Sequence, residues 1–119
     1  MAWTFSGDRP VYVQLSERIR NSVVTGVYPP GSQIPSVRQL AVTAAVNPNT
    51  VQHAFTELED EGLLVSRGTL GRFVTEDPVT IERCRQQQAR ALVRNFIKSA
   101  SHISISREQL IEMIKEEEI

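Results

Sequence analysis

Pro35-Ser36-Val37-Arg38-Gln39-Leu40-Ala41-Val42-Thr43-Ala44-Ala45-Val46-Asn47-Pro48-Asn49-Thr50-Val51 holds two helix starts in one short stretch. Ser36 with Gln39 three residues on is a capping-box pair. The hydroxyl accepts from the backbone N–H of the glutamine, and the glutamine side chain reaches back. A short helix is expected from there through Leu40, Ala41 and Ala44, with a break at Asn47. Asparagine is a favoured N-cap, and proline suits the first helical position because its missing N–H would be unpaired there anyway. The second helix is expected to run to about Glu61, where Gly62 stops it. Val51, Ala54, Phe55 and Leu58 recur at helical spacing as its buried face. Two helices, each opened by its own cap and only a few residues apart, make a helix-turn-helix.

Working outward, Tyr12, Leu15, Ile19 and Val23 form an apolar stripe that predicts a helix from about Val11 to Thr25. Asp8 is its expected N-cap, Pro10 lies in the first turn, and Gly26 is the stop. Trp3 and Phe5 ahead of it form either a short extended segment or a cap on that helix. Tyr28-Pro29-Pro30-Gly31 is a loop. On the other side, Leu63-Leu64-Val65 and Arg72-Phe73-Val74-Thr75 read as strands around the turn Arg67-Gly68-Thr69-Leu70-Gly71, which gives a β-hairpin.

Pro78 marks a boundary, beyond which helices are expected over about Thr80–Ser99 and Ser106–Glu118. Their stripes are thin: Ile81, Cys84, Gln88, Leu92 and Phe96 on one, and Leu110, Met113 and Ile114 on the other. So little apolar surface does not offset the entropy of ordering, so the pair must dock, most economically on a second copy of the chain. The expected fold is mainly α with a small β-hairpin. A winged helix-turn-helix domain occupies residues 1–77 and a two-helix dimerisation tail occupies 78–119.

The chain has 119 residues, 40% apolar and 23% charged, an ordinary globular composition. No apolar run approaches the ~20 residues that span a bilayer. Met1–Asp8 has neither the basic nor the apolar part of a signal peptide, so a cytoplasmic protein is expected. Cys84, the single cysteine, makes no internal disulfide and no metal site alone; it is expected to pack as a small apolar residue. No metal and no cofactor is expected. The net charge is −1, although nucleic-acid binders are often basic. Distribution matters more than the sum: between Ser32 and Thr56 the one formally charged residue is Arg38.

The second helix of a helix-turn-helix enters the major groove with its N-terminal residues at the base edges. Here that end carries Asn47, Asn49, Thr50, Gln52 and His53, while Glu57, Glu59, Asp60 and Glu61 stand at the far end. Asparagine and glutamine pair with adenine, and threonine meets a thymine methyl or a phosphate. Ser36 is a second phosphate candidate. In the wing, about residues 64–75, Arg67 and Arg72 flank a turn at Gly68 slim enough for the minor groove. Each has a plainer reading. Asn47 is an N-cap, Gln52 and His53 are solvent-facing, Arg72 supports the hairpin, and His53 has no second ligand at metal spacing. A protein-docking module is the alternative in another class, disfavoured by the absence of acids from the first half of the second helix. No nucleophile elbow, phosphate loop or metal-ligand pair suggests an enzyme.

These residues also resemble the GntR family of bacterial regulators. The resemblance rests on Pro10-Val11-Tyr12-Val13-Gln14-Leu15, Gly31 with Ile34 to Ala41, Val46 to Val51, Leu58 to Leu63, and Gly71-Arg72-Phe73-Val74. The short remainder is similar to the tail of the YtrA-like branch. The resemblance implies a homodimeric repressor on a roughly palindromic operator in double-stranded DNA, with Arg38 against the DNA; its alternative is a surface salt bridge. The wing departs from the family's glycine-x-glycine-threonine pattern, which leaves its minor-groove geometry open. The tail is too short to enclose a pocket of ~300 Å³ or more by itself, so a small-molecule effector would need a cavity between the tail, the first helix and the partner subunit.

Overall fold

A computed structural model describes residues 3–119. The order of elements is α1 (Val11–Val24), α2 (Val37–Ala44), α3 (Pro48–Asp60), β1 (Leu64–Ser66), β2 (Arg72–Val74), α4 (Pro78–Ser101) and α5 (Arg107–Glu116). The chain is therefore mainly helical with one small hairpin, a winged helix-turn-helix. It forms two compact units, one up to Cys84 and one from Arg85 to Ile119. The break between the compact units falls inside α4, because Ile81 and Cys84 belong to the core of the first unit.

That core is built on α1 and α3. Leu15, Ile19 and Val23 of α1 meet Val51, Ala54, Phe55 and Leu58 of α3, and all are buried. Leu40 and Ala41 of α2 join them, as do Ile34, Leu63, Leu64 and Val74 from the extended segments. Both caps of the helix-turn-helix form. Ser36 Oγ accepts from Gln39 N while Gln39 Oε1 accepts from Ser36 N, at 3.1 and 2.9 Å. Asn47 Oδ1 accepts from Asn49 N at 2.7 Å, and Pro48 is the first residue of α3. Between them Ala45 takes a left-handed conformation with φ 58°, and this single residue turns the chain from one helix into the next.

The start of α1 differs from expectation. Asp8 caps no helix; Pro10 is the N-cap, without a side-chain bond to the helix. The Asp8 carboxylate accepts instead from the Ser6 hydroxyl, which holds it below the usual carboxylate range. The Gln14 amide does the anchoring, donating to the carbonyls of Ser6 and Arg9 at 2.8 and 2.9 Å. Trp3 and Phe5 form no strand and pack against the core, with the Arg18 guanidinium 3.9 Å from the Trp3 ring centre.

β1 and β2 pair antiparallel with Leu64 opposite Val74 and Ser66 opposite Arg72. A single 3₁₀ turn, Gly68–Leu70, closes the hairpin. Gly71 follows with φ 105°, a conformation open to glycine and strained for other residues. After the hairpin, Asp77 opens α4: its carboxylate accepts from Val79 N and from the Thr80 hydroxyl, which hold its pKa down. Cys84 is buried, and burial raises its thiol pKa.

In the second unit a Ser106–Gln109 capping box starts α5, as the sequence suggests. Ala100 and Leu110 are its buried apolar residues. The thin stripe expected on the long helix divides. Ile81 and Cys84 serve the first unit's core, while Leu92 and Phe96 are 71% and 50% exposed. Among the described residues no helix is long and apolar enough to cross a membrane.

Phe55 is 1% exposed at the centre of the α1–α3 contact. Phe55→Ala should cost about 3–5 kcal/mol, read from urea unfolding followed by circular dichroism. A loss under 1 kcal/mol would mean that this ring does not organise the core.

Candidate nucleic-acid interface

The packing of α3 decides which of its side chains are free. With Val51, Ala54, Phe55 and Leu58 turned inward, Asn47, Asn49, Gln52 and His53 are exposed and Thr50 is half-buried. These expected site residues therefore occupy the first two turns of one helix, at its N-terminus, where free N–H groups and the helix dipole favour an anion. The Asn47 carbonyl oxygen is taken by its cap, which leaves its NH₂ group for other contacts.

Ser36 and Arg38 lie in the first turn of α2. Both are exposed, and the Ser36 hydroxyl is engaged in its capping box. Arg38 has no acid within 4 Å and no side-chain hydrogen bond among the described residues, so the salt-bridge alternative does not appear within this unit. Close by, Val37, Arg38, Ala41, Val42, Val46 and Pro48 line a shallow depression of about 510 Å³ between α2 and the start of α3.

The acids at the far end of α3 are mostly neutralised within the fold. Arg20 of α1 bonds Glu61 at 2.6 Å and Glu57 at 3.4 Å, and the Ser16 hydroxyl donates to Glu57 at 3.3 Å. Burial opposes the charge on Arg20, but the hydrogen bond and charge of Glu61, with the charge of Glu57, outweigh it and raise its pKa. Arg72 of the wing bonds Glu59 at 2.9 Å and sits 5.0 Å from the Phe55 ring centre. Of the two wing arginines, then, Arg72 is tied to α3, whereas Arg67 rests over its neighbour Phe73 at 4.7 Å and is exposed, as is Gly68.

Two contributors escape the sequence reading. Tyr12 stacks on His53, with ring centroids 3.6 Å apart and planes 12° apart, so one face of the histidine ring is covered. In the sequence Tyr12 simply continues the apolar stripe of α1. Glu59, one acid among three on α3, gives no sign that it meets an arginine 13 residues away. Among the described residues no group of acids, histidines or cysteines could hold a metal ion.

The family model of bacterial regulatory proteins, gntR family, matches residues 11–74. Over 93% of its length the chain is 30% identical to YhcF of Bacillus subtilis, an uncharacterized HTH-type transcriptional regulator, and spans 92% of that protein. It is 32% identical to the HTH-type transcriptional repressor YtrA of the same organism, over 90% of this chain and 83% of that one. A solved GntR family transcriptional regulator from Listeria monocytogenes superposes with a TM-score of 0.87 at 36% identity, over 96% of this chain and all of that one. These likenesses set it among transcription factors rather than enzymes. With a family match over more than half of its length and an exposed helix-turn-helix, the chain belongs to the GntR family and is a DNA-binding transcription regulator.

Proposed function

We propose that the chain is a cytoplasmic, YtrA-like repressor that binds a roughly palindromic operator as a homodimer. The observation that carries this reading is the start of α3: an exposed, acid-free helix N-terminus whose asparagine, threonine and glutamine side chains match base-edge chemistry. Asn49 and Gln52 read bases in the major groove, preferring adenine. Thr50 meets a thymine methyl or a phosphate. Asn47 adds its NH₂ group to its capping role, and His53 contacts DNA from a ring held in place by Tyr12. Arg38 and Ser36 meet the phosphate backbone on one side of the groove. Arg67 and the Gly68 turn approach the minor groove, with Arg72 acting from behind by tying the wing to Glu59. The likeness to YtrA supports the subfamily and the repressor role.

In this reading residues 1–77 bind DNA, residues 78–119 pair the subunits, and no cofactor takes part. The second unit exposes Leu92, Val93, Phe96, Ile111, Met113 and Ile114, too much apolar surface for a 35-residue unit to leave bare. Part of it lines an open groove of about 660 Å³ between the end of α4 and α5, bordered by Val93, Phe96, Ile97, Leu110, Ile111 and Ile114. A second copy covers this surface. A small apolar effector is its competitor.

Two measurements test the reading. Arg38→Ala should weaken binding to every duplex, with the slope of log affinity against log salt shallower by ~0.9 for one lost phosphate contact. An unchanged slope removes Arg38 from the backbone contact. A chain ending after Cys84 keeps Ile81 and Cys84 in the core, and should run as a monomer on size exclusion while the full chain runs as a dimer. Its operator affinity should fall about a hundredfold or more, because linked half-sites reinforce one another. A shortened chain that still dimerises would move the interface out of the tail.

A further inference from the structure

We propose that Gln33 is a positioning residue for the wing, joining the wing turn to the segment that launches α2 so that both meet DNA as one rigid piece. The inference rests on the DNA-binding reading above and adds a residue that touches no DNA itself.

The hairpin has strands of three residues each, and a two-stranded ribbon of that size holds its own shape poorly. It gains a third partner. Gly31 N donates to the Val74 carbonyl at 3.0 Å, Val74 N to the Ser32 carbonyl at 2.8 Å, and Ile34 N to the Arg72 carbonyl at 3.0 Å. Gln33 and Phe73 form an isolated antiparallel bridge in the middle. Alternation along this extended segment buries Ile34 at 3% exposure and leaves Gln33 on the outside.

From there the Gln33 amide reaches past the strands to the turn. Its Nε2 donates to the Leu70 carbonyl at 2.5 Å. Leu70 is the last residue of the 3₁₀ turn and is itself 66% exposed, so no apolar burial holds the turn down. The remaining bonds of the turn are local: Arg67 N to the Gly71 carbonyl, Leu70 N to the Arg67 carbonyl, and Gly71 N to the Gly68 carbonyl. Gln33 therefore makes the turn's one side-chain hydrogen bond from outside the hairpin among the described residues. The neighbouring glycine fits this arrangement, since a Cβ on Gly71 would lie 3.0 Å from Gln33 Nε2.

What lies beyond Gln33 gives the tie its use. Ser36, the cap of α2, follows three residues on, and Arg38 two further, with Pro35 stiffening the connection. A wing fixed to Gln33 is thereby fixed relative to the start of α2. The tie acts together with the Arg72–Glu59 bond, which anchors β2 to α3.

Gln33→Met keeps the length and loses the donor, and because Gln33 is exposed the fold should survive. In the free full-length protein, ¹⁵N relaxation should show faster motion at the amides of Gly68, Thr69, Leu70 and Gly71, with α2 and α3 unchanged. Binding to a duplex selected by the wild-type chain from a randomised pool should weaken about threefold to tenfold, the worth of one hydrogen bond. The salt slope should become shallower by about one phosphate contact. Gln33→Lys, which can donate to the same carbonyl, should restore the rigid turn even if the methionine variant folds poorly. Wing amides as rigid in Gln33→Met as in the wild type would overturn the proposal, as would a mobile wing with unchanged affinity and slope, or a lysine variant whose turn stays mobile. Failure to select any duplex would instead defeat the DNA-binding reading, while the relaxation data would still report whether Gln33 holds the turn.

Discussion

The packing of α3 onto α1 is the constraint on which the rest of the molecule depends. A helix of 13 residues can bury one face, and here Val51, Ala54, Phe55 and Leu58 are all at 1% exposure or less. Once that face is committed, rotation about the helix axis is fixed. Asn49, Gln52 and His53 then have to face outward together. Tyr12, stacked flat on His53, extends the same contact to the edge of the exposed face. The proposed recognition surface is thus the complement of the core, and α1, which carries none of the proposed base contacts, determines where those contacts stand.

Charge placement follows from the same packing. The chain carries more acid than base, and four acids lie on or beside the end of the helix proposed to enter DNA. Arg20 and Arg72 hold Glu57, Glu61 and Glu59, so most of that negative charge is paired at the end away from the helix N-terminus. A partly buried ion pair adds little net stability, because desolvation offsets its attraction. Its larger effect here is on the field: the end proposed to approach phosphate keeps Arg38 and the free N–H groups, without opposing acids nearby. A net charge of −1 is therefore compatible with a DNA-binding face.

How much of this was legible in the sequence depended on the range of each interaction. Ser36–Gln39, Asn47–Pro48 and Ser106–Gln109 act within three residues, and their caps form where the sequence places them. Asp8 looked equally good as a cap, but the helix starts beyond Pro10, and Gln14, from one turn inside, anchors the leading segment instead. The thin stripe on α4 serves two units, because Ile81 and Cys84 fall on one side of the break and Leu92 and Phe96 on the other. The ties that set the wing, Gln33 to Leu70 and Arg72 to Glu59, join residues far apart in the chain, and no local pattern announces such pairs.

The account's central claim is that the first two turns of α3 read base edges, and selection from a fully randomised duplex pool, followed by sequencing, tests it most directly. The wild-type chain should enrich an inverted repeat whose half-sites are about one helical turn apart. The same selection with Asn49→Ala and Gln52→Ala should lose its preference at defined positions within each half-site and keep its spacing. A pool that stays unenriched under the wild-type chain, or a motif unchanged by both substitutions, would contradict the claim.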